Sequence, residues 1–277
     1  MSYRTIVVHA DHAPNVQARI ALAAELALRE GAHLVAAAMS GVPRYMRAGG
    51  VFEGSGVVIG DYLQRAAQRA ERALARFEDE AARLGVDSRE GRRLDDDAYA
   101  GLCLQARYAD LVVLGQADPE DRDEGGLLLD LPEHVVLHGG RPVLMVPRKG
   151  SFGGAGRHAL VAWNGSLEAA KAISGALPLL RAAERVTLAV FGQYANHGDE
   201  PGADMALYLA RHDVRVEVVR KQQPEDAGHA ILSLANDIGA DLLVMGAYGH
   251  SRFREMMLGG ATRTILATAA LPVLMAH

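Results

Sequence analysis

An internal duplication restricts the fold of this chain more than any other feature. Ala109-Asp110-Leu111-Val112-Val113-Leu114-Gly115 is matched almost residue for residue by Ala240-Asp241-Leu242-Leu243-Val244-Met245-Gly246. Arg141-Pro142-Val143-Leu144-Met145 is matched by Leu271-Pro272-Val273-Leu274-Met275. Earlier in each copy, Thr5-Ile6-Val7-Val8-His9-Ala10-Asp11 resembles Ala159-Leu160-Val161-Ala162-Trp163-Asn164. The three pairs keep their order and similar spacing, so one unit is used twice. The seam is Lys149 to Gly156, whose glycines suit a linker. The expected organisation is a first domain over 1–148, a linker over 149–156 and a second domain over 157–277.

Within each copy, short apolar runs alternate with longer amphipathic ones. Strands are expected near 4–9, 33–39, 86–91, 110–114 and 142–146, then near 158–163, 185–191, 214–220, 241–245 and 272–276. Helices are expected near 14–30, 60–84, 96–107 and 130–138, then near 166–181, 202–212, 225–238 and 260–269. The central strands are unbroken Val/Leu/Ile runs, as required when both faces of a sheet are covered. Strand–helix alternation of this kind gives an α/β fold: two tandem doubly wound, Rossmann-like domains, each a five-stranded parallel sheet with helices on both faces. Pro142 and Pro272 open the last strand of each copy, a position that suggests a sheet edge. Pro43 to Gly60 shows no apolar period and reads as a surface loop.

Bulk properties narrow the class. The chain has 277 residues, 49% hydrophobic and 23% charged, ordinary values for a soluble protein of two domains. A net charge of −5 argues against nucleic-acid binding, which needs a basic face. The single cysteine, Cys103, lies between two leucines and reads as a buried thiol in a reducing compartment. No secretory leader and no apolar run of about 20 residues is visible, so the expected location is the cytoplasm, away from membranes.

The second copy carries a glycine pattern of its own. Gly246 ends an apolar run, Gly249 follows three residues later, and Gly259 and Gly260 come ten residues after that. Glycines at such points let bare N–H groups approach an anion, and a helix opening behind them adds its dipole. Gly246-x2-Gly249-x9-Gly259, with Gly249-His250-Ser251-Arg252 and the closing Leu271-Pro272-Val273-Leu274, resembles the nucleotide-loop pattern of the universal stress protein family in its tandem form.

The resemblance implies the adenine nucleotide alpha hydrolase-like fold, and ATP or AMP binding as found in some members. It also implies pairing through the last strand, either between two chains as a homodimer or between the two domains of one chain. Carried onto this sequence, the nucleotide would lie across the first and fourth strands of the second copy. Asn164 stands where nucleotide-binding members carry an aspartate. Gly246 and Gly249 would turn under the ribose and phosphates, and Gly259, Gly260 and Ala261 would donate N–H groups to phosphate. Arg252 could face phosphate as well, with a solvated loop arginine as the plain alternative. Gly260 replaces the family's serine or threonine, removing a contact of about 0.5–1.5 kcal/mol.

The first copy keeps Asp11 but replaces the loop with Gly115-Gln116-Ala117-Asp118-Pro119-Glu120-Asp121, acidic where a phosphate would sit, so no nucleotide is expected there. Asp130 and Ser166 read as helix N-caps, and Asp95-Asp96-Asp97 as a dipole-stabilising helix start. His134 and His138 are four apart, a spacing that can hold a metal but that surface histidines share. Nothing supplies a serine elbow or a lysine-bearing phosphate loop. The expected function is a stress-response protein that binds ATP or AMP in its C-terminal domain without strong catalysis. The alternatives are a ligand-free scaffold acting through protein contacts, and a weak ATPase.

Overall fold

A computed structural model describes residues 2–42, 56–119, 129–192, 200, 202–249 and 260–277. The first copy forms β1 (Thr5–His9), α1 (Val16–Glu30), β2 (His33–Met39), α2 (Gly56–Leu84), β3 (Arg89–Leu94), α3 (Ala98–Ala106), β4 (Leu111–Gly115), α4 (Leu131–His138) and β5 (Val143–Val146). The second forms β6 (His158–Trp163), α5 (Leu167–Ala182), β7 (Arg185–Phe191), α6 (Ala203–Arg211), β8 (Val216–Lys221), α7 (Ala227–Asp237), β9 (Leu242–Gly246), α8 (Ala261–Thr268) and β10 (Val273–Ala276).

All ten strands make one sheet, in the order β3-β2-β1-β4-β5-β10-β9-β6-β7-β8. Each copy contributes five parallel strands with the same internal order. The seam between copies is the antiparallel pair β5–β10, with Leu144 opposite Leu274. The prolines therefore do not mark an outer edge. Pro142 and Pro272 each precede a strand that ends its own copy's sheet, yet those two strands meet at the centre of the whole one. Neither proline loses its carbonyl to this arrangement: Pro142 O accepts from Val112 N and Pro272 O from Leu243 N.

Alternate residues of each central strand serve two separate cores. Ile6 and Val8 pack with α1, α2, α5 and α6 on one face, and Val7 packs with α3, α4, α7 and α8 on the other. Both cores run across the seam, because residues of both copies enter each. β3 (REGRRL), one of the two outer strands, alternates half-buried with exposed residues from Glu90 onward, and its charges suit an edge. It starts three residues later than the sequence pattern suggests, since Val86 turns inward to the core ahead of it. Of the expected surface loop, residues 43–55 lie outside the described residues; from Gly56 the chain is helical, so the loop ends earlier than Gly60.

Side chains lock the copies together beyond the ladder. Tyr3 Oη donates to Gly175 O across the seam at 2.7 Å. Gly175 is in contact with Pro142, and a Cβ there would lie 2.3 Å from the proline ring. Gln116, 8% exposed, donates from Nε2 to Leu266 O at 3.0 Å and Ala269 O at 3.4 Å, and accepts from Arg148 N at 3.1 Å. One amide thus ties the end of β4 to the last turn of α8.

Candidate functional site

In an open parallel sheet, ligands meet the carboxyl ends of the strands where the strand order reverses. Each copy has such a point, β1 beside β4 and β6 beside β9. The registers make the copies comparable: Ile6 pairs with Leu111 as Ala159 pairs with Leu242. On that basis Asp11 corresponds to Asn164, Arg19 to Ala172, and Gly115 to Gly246.

In the second copy, β6 ends at Trp163 and the chain turns through Asn164 and Gly165. Asn164 Oδ1 accepts from Ser166 N at 3.1 Å, and Gly165 takes a φ of +73°, which glycine tolerates without strain. Ser166 then caps α5, its Oγ accepting from Ala169 N at 3.1 Å. The first task of Asn164 is therefore to bend the chain into the helix.

Gly246 has an equally local reason to be glycine. A Cβ there would lie 2.4 Å from Ala169 N, so the first turn of α5 is seated against bare backbone. Gly249 faces a group that the sequence reading missed: a Cβ there would lie 2.7 Å from Glu168 Oε2 and 3.1 Å from Ser166 Oγ. Between the two glycines, Tyr248 adopts a φ of +60°, a left-handed conformation costly for a side-chain-bearing residue. Tyr248 N donates to Thr262 Oγ1 at 3.3 Å, which fastens the loop to α8; Thr262 is 2% exposed.

Gly260 precedes α8 and offers it no side-chain cap. Arg263 N and Thr264 N bond back to Gly260 O, whereas the N–H groups before them have no acceptor within the helix. The turn after β6 and the first turn of α5 thus lie against Gly246 and Gly249, and the loop between those glycines is fastened to α8, which opens at Gly260 and Ala261. Arg252 and Gly259 lie outside the described residues, as do His250 and Arg254.

The first copy is built differently at the same point. Asp11 Oδ1 accepts from Ala13 N at 2.9 Å, repeating the Asn164 turn, and also from Arg19 Nη2 at 2.5 Å. Asp11 Oδ2 lies 3.3 Å from His9 Nδ1. Arg19 is 1% exposed, and its guanidinium fills the space beside Gly115, where a Cβ would lie 2.5 Å from Nη1. Burial alone would raise the Asp11 carboxyl, but the charges of Arg19 and His9 and the hydrogen bonds from Arg19 and Ala13 outweigh it and bring the pKa down to about 2. Burial lowers His9 to about 4, with Arg19 and His12 adding to the effect against Asp11. Arg19 occupies the inward face of α1 with Val16, Ile20 and Ala23, so helical spacing alone would have marked it as a buried cation.

Other expectations resolve locally. Asp97 caps α3 through Tyr99 N and Ala100 N. Asp130 does not cap α4: its backbone is not in the extended form that aims a cap inward, and its carboxylate accepts from Tyr99 Oη at 2.5 Å instead. His134 and His138 stack with ring centroids 4.2 Å apart, and Tyr99 meets His134 edge-on at 5.0 Å. Among the described residues no group of three or more His, Cys, Asp or Glu is placed to hold a metal. Cys103 is buried. No helix of the described residues is long and apolar enough to cross a membrane.

The class defined so far is a tandem doubly wound α/β protein with two switch points. Residues 156–277 match the model of the Universal stress protein family. A universal stress protein of Synechocystis sp. is 36% identical over 72 residues, which is 26% of this chain and 24% of that protein, so the match spans about a quarter of that relative's length. The fold of the whole chain is similar to that of a universal stress protein from Archaeoglobus fulgidus DSM 4304, with a TM-score of 0.73 at 15% identity over 98% of this chain and 94% of that one. It is also similar to a functionally unknown protein from Pseudomonas aeruginosa PAO1, with a TM-score of 0.54 at 16% identity over 98% and 92%.

Proposed function

We propose that the C-terminal half binds an adenine nucleotide, ATP or AMP, in the crevice between β6 and β9, and that the protein serves a cytoplasmic stress response through occupancy of that crevice, not turnover. One observation carries the reading: α8 opens at the switch point on a glycine with no side-chain cap. Its leading N–H groups suit phosphate oxygens, and the helix dipole favours them. Gly260, Ala261, Gly259 and Arg252 are assigned to the phosphates. Glu168 sets the orientation, because a carboxylate beside Gly249 repels phosphate and accepts from ribose hydroxyls. Gly249 and Asn164 are therefore assigned to the nucleoside end.

The alternative, a ligand-free scaffold acting through protein contacts, has one specific observation in its favour. The close approach of α5 accounts for Gly246 without any ligand. Heat-released supernatant of the purified protein, analysed for nucleotide, separates the two, together with ATP and AMP titrations followed by calorimetry. Nucleotide in the supernatant, or saturable binding lost in a Gly260→Glu variant that keeps its fold, supports the proposal. An empty protein with no heat of binding supports the scaffold.

A further inference from the structure

The sheet ends in two outer strands, β3 and β8, and they are guarded unequally. At β3 the charges are spent within the chain. Arg89 Nε meets Glu78 Oε2 at 2.9 Å and Arg93 Nη1 meets Glu71 Oε1 at 3.1 Å, both glutamates on the 29-residue helix α2. In the second copy the helix in the matching place, α6, has nine residues. β8 (VEVVRK) holds three valines and no proline, and an outer strand of that kind is a template for pairing. Glu217 and Lys221 are both exposed. Glu217 accepts from Thr187 Oγ1 at 3.1 Å, and neither charge has an ion pair among the described residues.

The direction of the backbone says what the free edge offers. Lys221 O accepts from Gly192 N, so the backbone groups of Lys221, Val219 and Glu217 point towards β7. Those of Val216, Val218 and Arg220 therefore point outward along the open edge. Val216 and Val218 pack on the core that holds Leu188, and Glu217, Val219 and Lys221 project from the opposite face.

We propose that β8 pairs with β8 of a second copy of this chain about a twofold axis, antiparallel and centred on Val219. Such an axis sets one residue opposite itself, and charge selects which one. Centring on Glu217, Arg220 or Lys221 puts like charges face to face, and centring on Val218 puts Arg215 against the partner's Lys221. Centring on Val219 puts Glu217 against the partner's Lys221, once on each side of the axis. In that register Val218 and the partner's Arg220 exchange both backbone bonds, and the two Val219 side chains meet in a close, non-hydrogen-bonded pair. The junction repeats the form of the β5–β10 seam, where Leu144 faces Leu274. Leu207, 50% exposed on α6, lines a groove with Ala210, Val214 and Val216, and this groove borders the junction. The pairing involves none of the residues assigned to nucleotide, so either reading can fail without the other.

The test is sedimentation velocity with light scattering on the full-length protein over a wide range of concentration. A species of twice 29.5 kDa is expected. Glu217→Lys and Lys221→Glu each set like charges across the axis and should weaken dimerisation about tenfold or more. A variant with both exchanges restores the opposition and should dimerise as the wild type does. Arg220→Pro removes an N–H that β7 does not use, so it should give folded monomers. All four variants should keep wild-type circular dichroism; if Arg220→Pro does not, the charge exchanges decide alone. A wild-type monomer at every concentration overturns the proposal and leaves this edge to another partner. A dimer untouched by Arg220→Pro or by both single exchanges overturns it as well, as does a double exchange that stays monomeric. Open-ended assemblies overturn it too, because they come from β3 meeting β8 head to tail.

Discussion

His9 makes the fold sensitive to mild acid. Its folded pKa of about 4 lies below the ordinary 6.5, so the unfolded chain takes up a proton over that window and the folded chain does not. Stability must then fall as pH drops from about 6.5 to 4, by about 3 kcal/mol in total. Asp11 continues the loss at lower pH: its folded pKa of about 2 is depressed, and its contribution disappears as pH falls from about 4 towards 2. Urea midpoints measured at half-unit pH steps should show the first decline, and His9→Gln should flatten it between pH 6.5 and 4 while the lower step persists in reduced form, because Arg19 still depresses Asp11. At Gly260, whose φ of −54° suits any residue, Gly260→Ser restores a hydroxyl that can cap α8 and meet phosphate. Calorimetry with ATP should show affinity raised about two- to tenfold, the worth of one hydrogen bond.

Single elements explain why part of the site was legible and part was not. The strand preceding Gly246 was plain, because four apolar residues between Asp241 and a glycine read as a short buried strand. The reason for its closing glycine was not plain, since it depends on how closely the first turn of α5 approaches from elsewhere in the chain. A Cβ at Gly246 has only backbone to displace, so Gly246→Ala should destabilise the protein by about 1–3 kcal/mol, read as a lowered urea midpoint with or without nucleotide. Glu168 escaped notice because a carboxylate in a first helical turn already has a sufficient reason to be there. Arg19, by contrast, could have been found: it interrupts the inward stripe of α1 eight residues after Asp11, and two opposite charges on buried faces must find each other.

At the level of the molecule, the duplication predicted two parallel five-stranded sheets, and the prolines pointed to edges. What the prolines could not reveal is that each edge is the other's partner, because pairing across copies involves no local signal. Gln116 is equally opaque in sequence: its counterpart is Ala247, and only the assembled sheet shows its amide reaching α8. Gln116→Leu leaves two carbonyls and one N–H with weaker partners at the seam, so a loss of about 1–3 kcal/mol is expected in chemical denaturation. Residues 157–277 made alone would present β10 with an open edge, and light scattering should find that fragment paired with itself. A monomeric fragment would mean that the seam depends on contacts such as Tyr3 to Gly175, not on the ladder.

Because β5 and β10 alone run against each other, the strand ends of the two copies point opposite ways, and the two switch points lie at opposite poles of the sheet. An assembly of identical subunits across such a junction is bound to have twin mouths, since any substitution appears in both. Joining the subunits in one polypeptide removes that obligation. Arg19 at one pole and Ala172 at the other are a change that a symmetric pair could never have tried on one side only. The molecule is thus free to carry unlike residues at its two poles, each altered without the other.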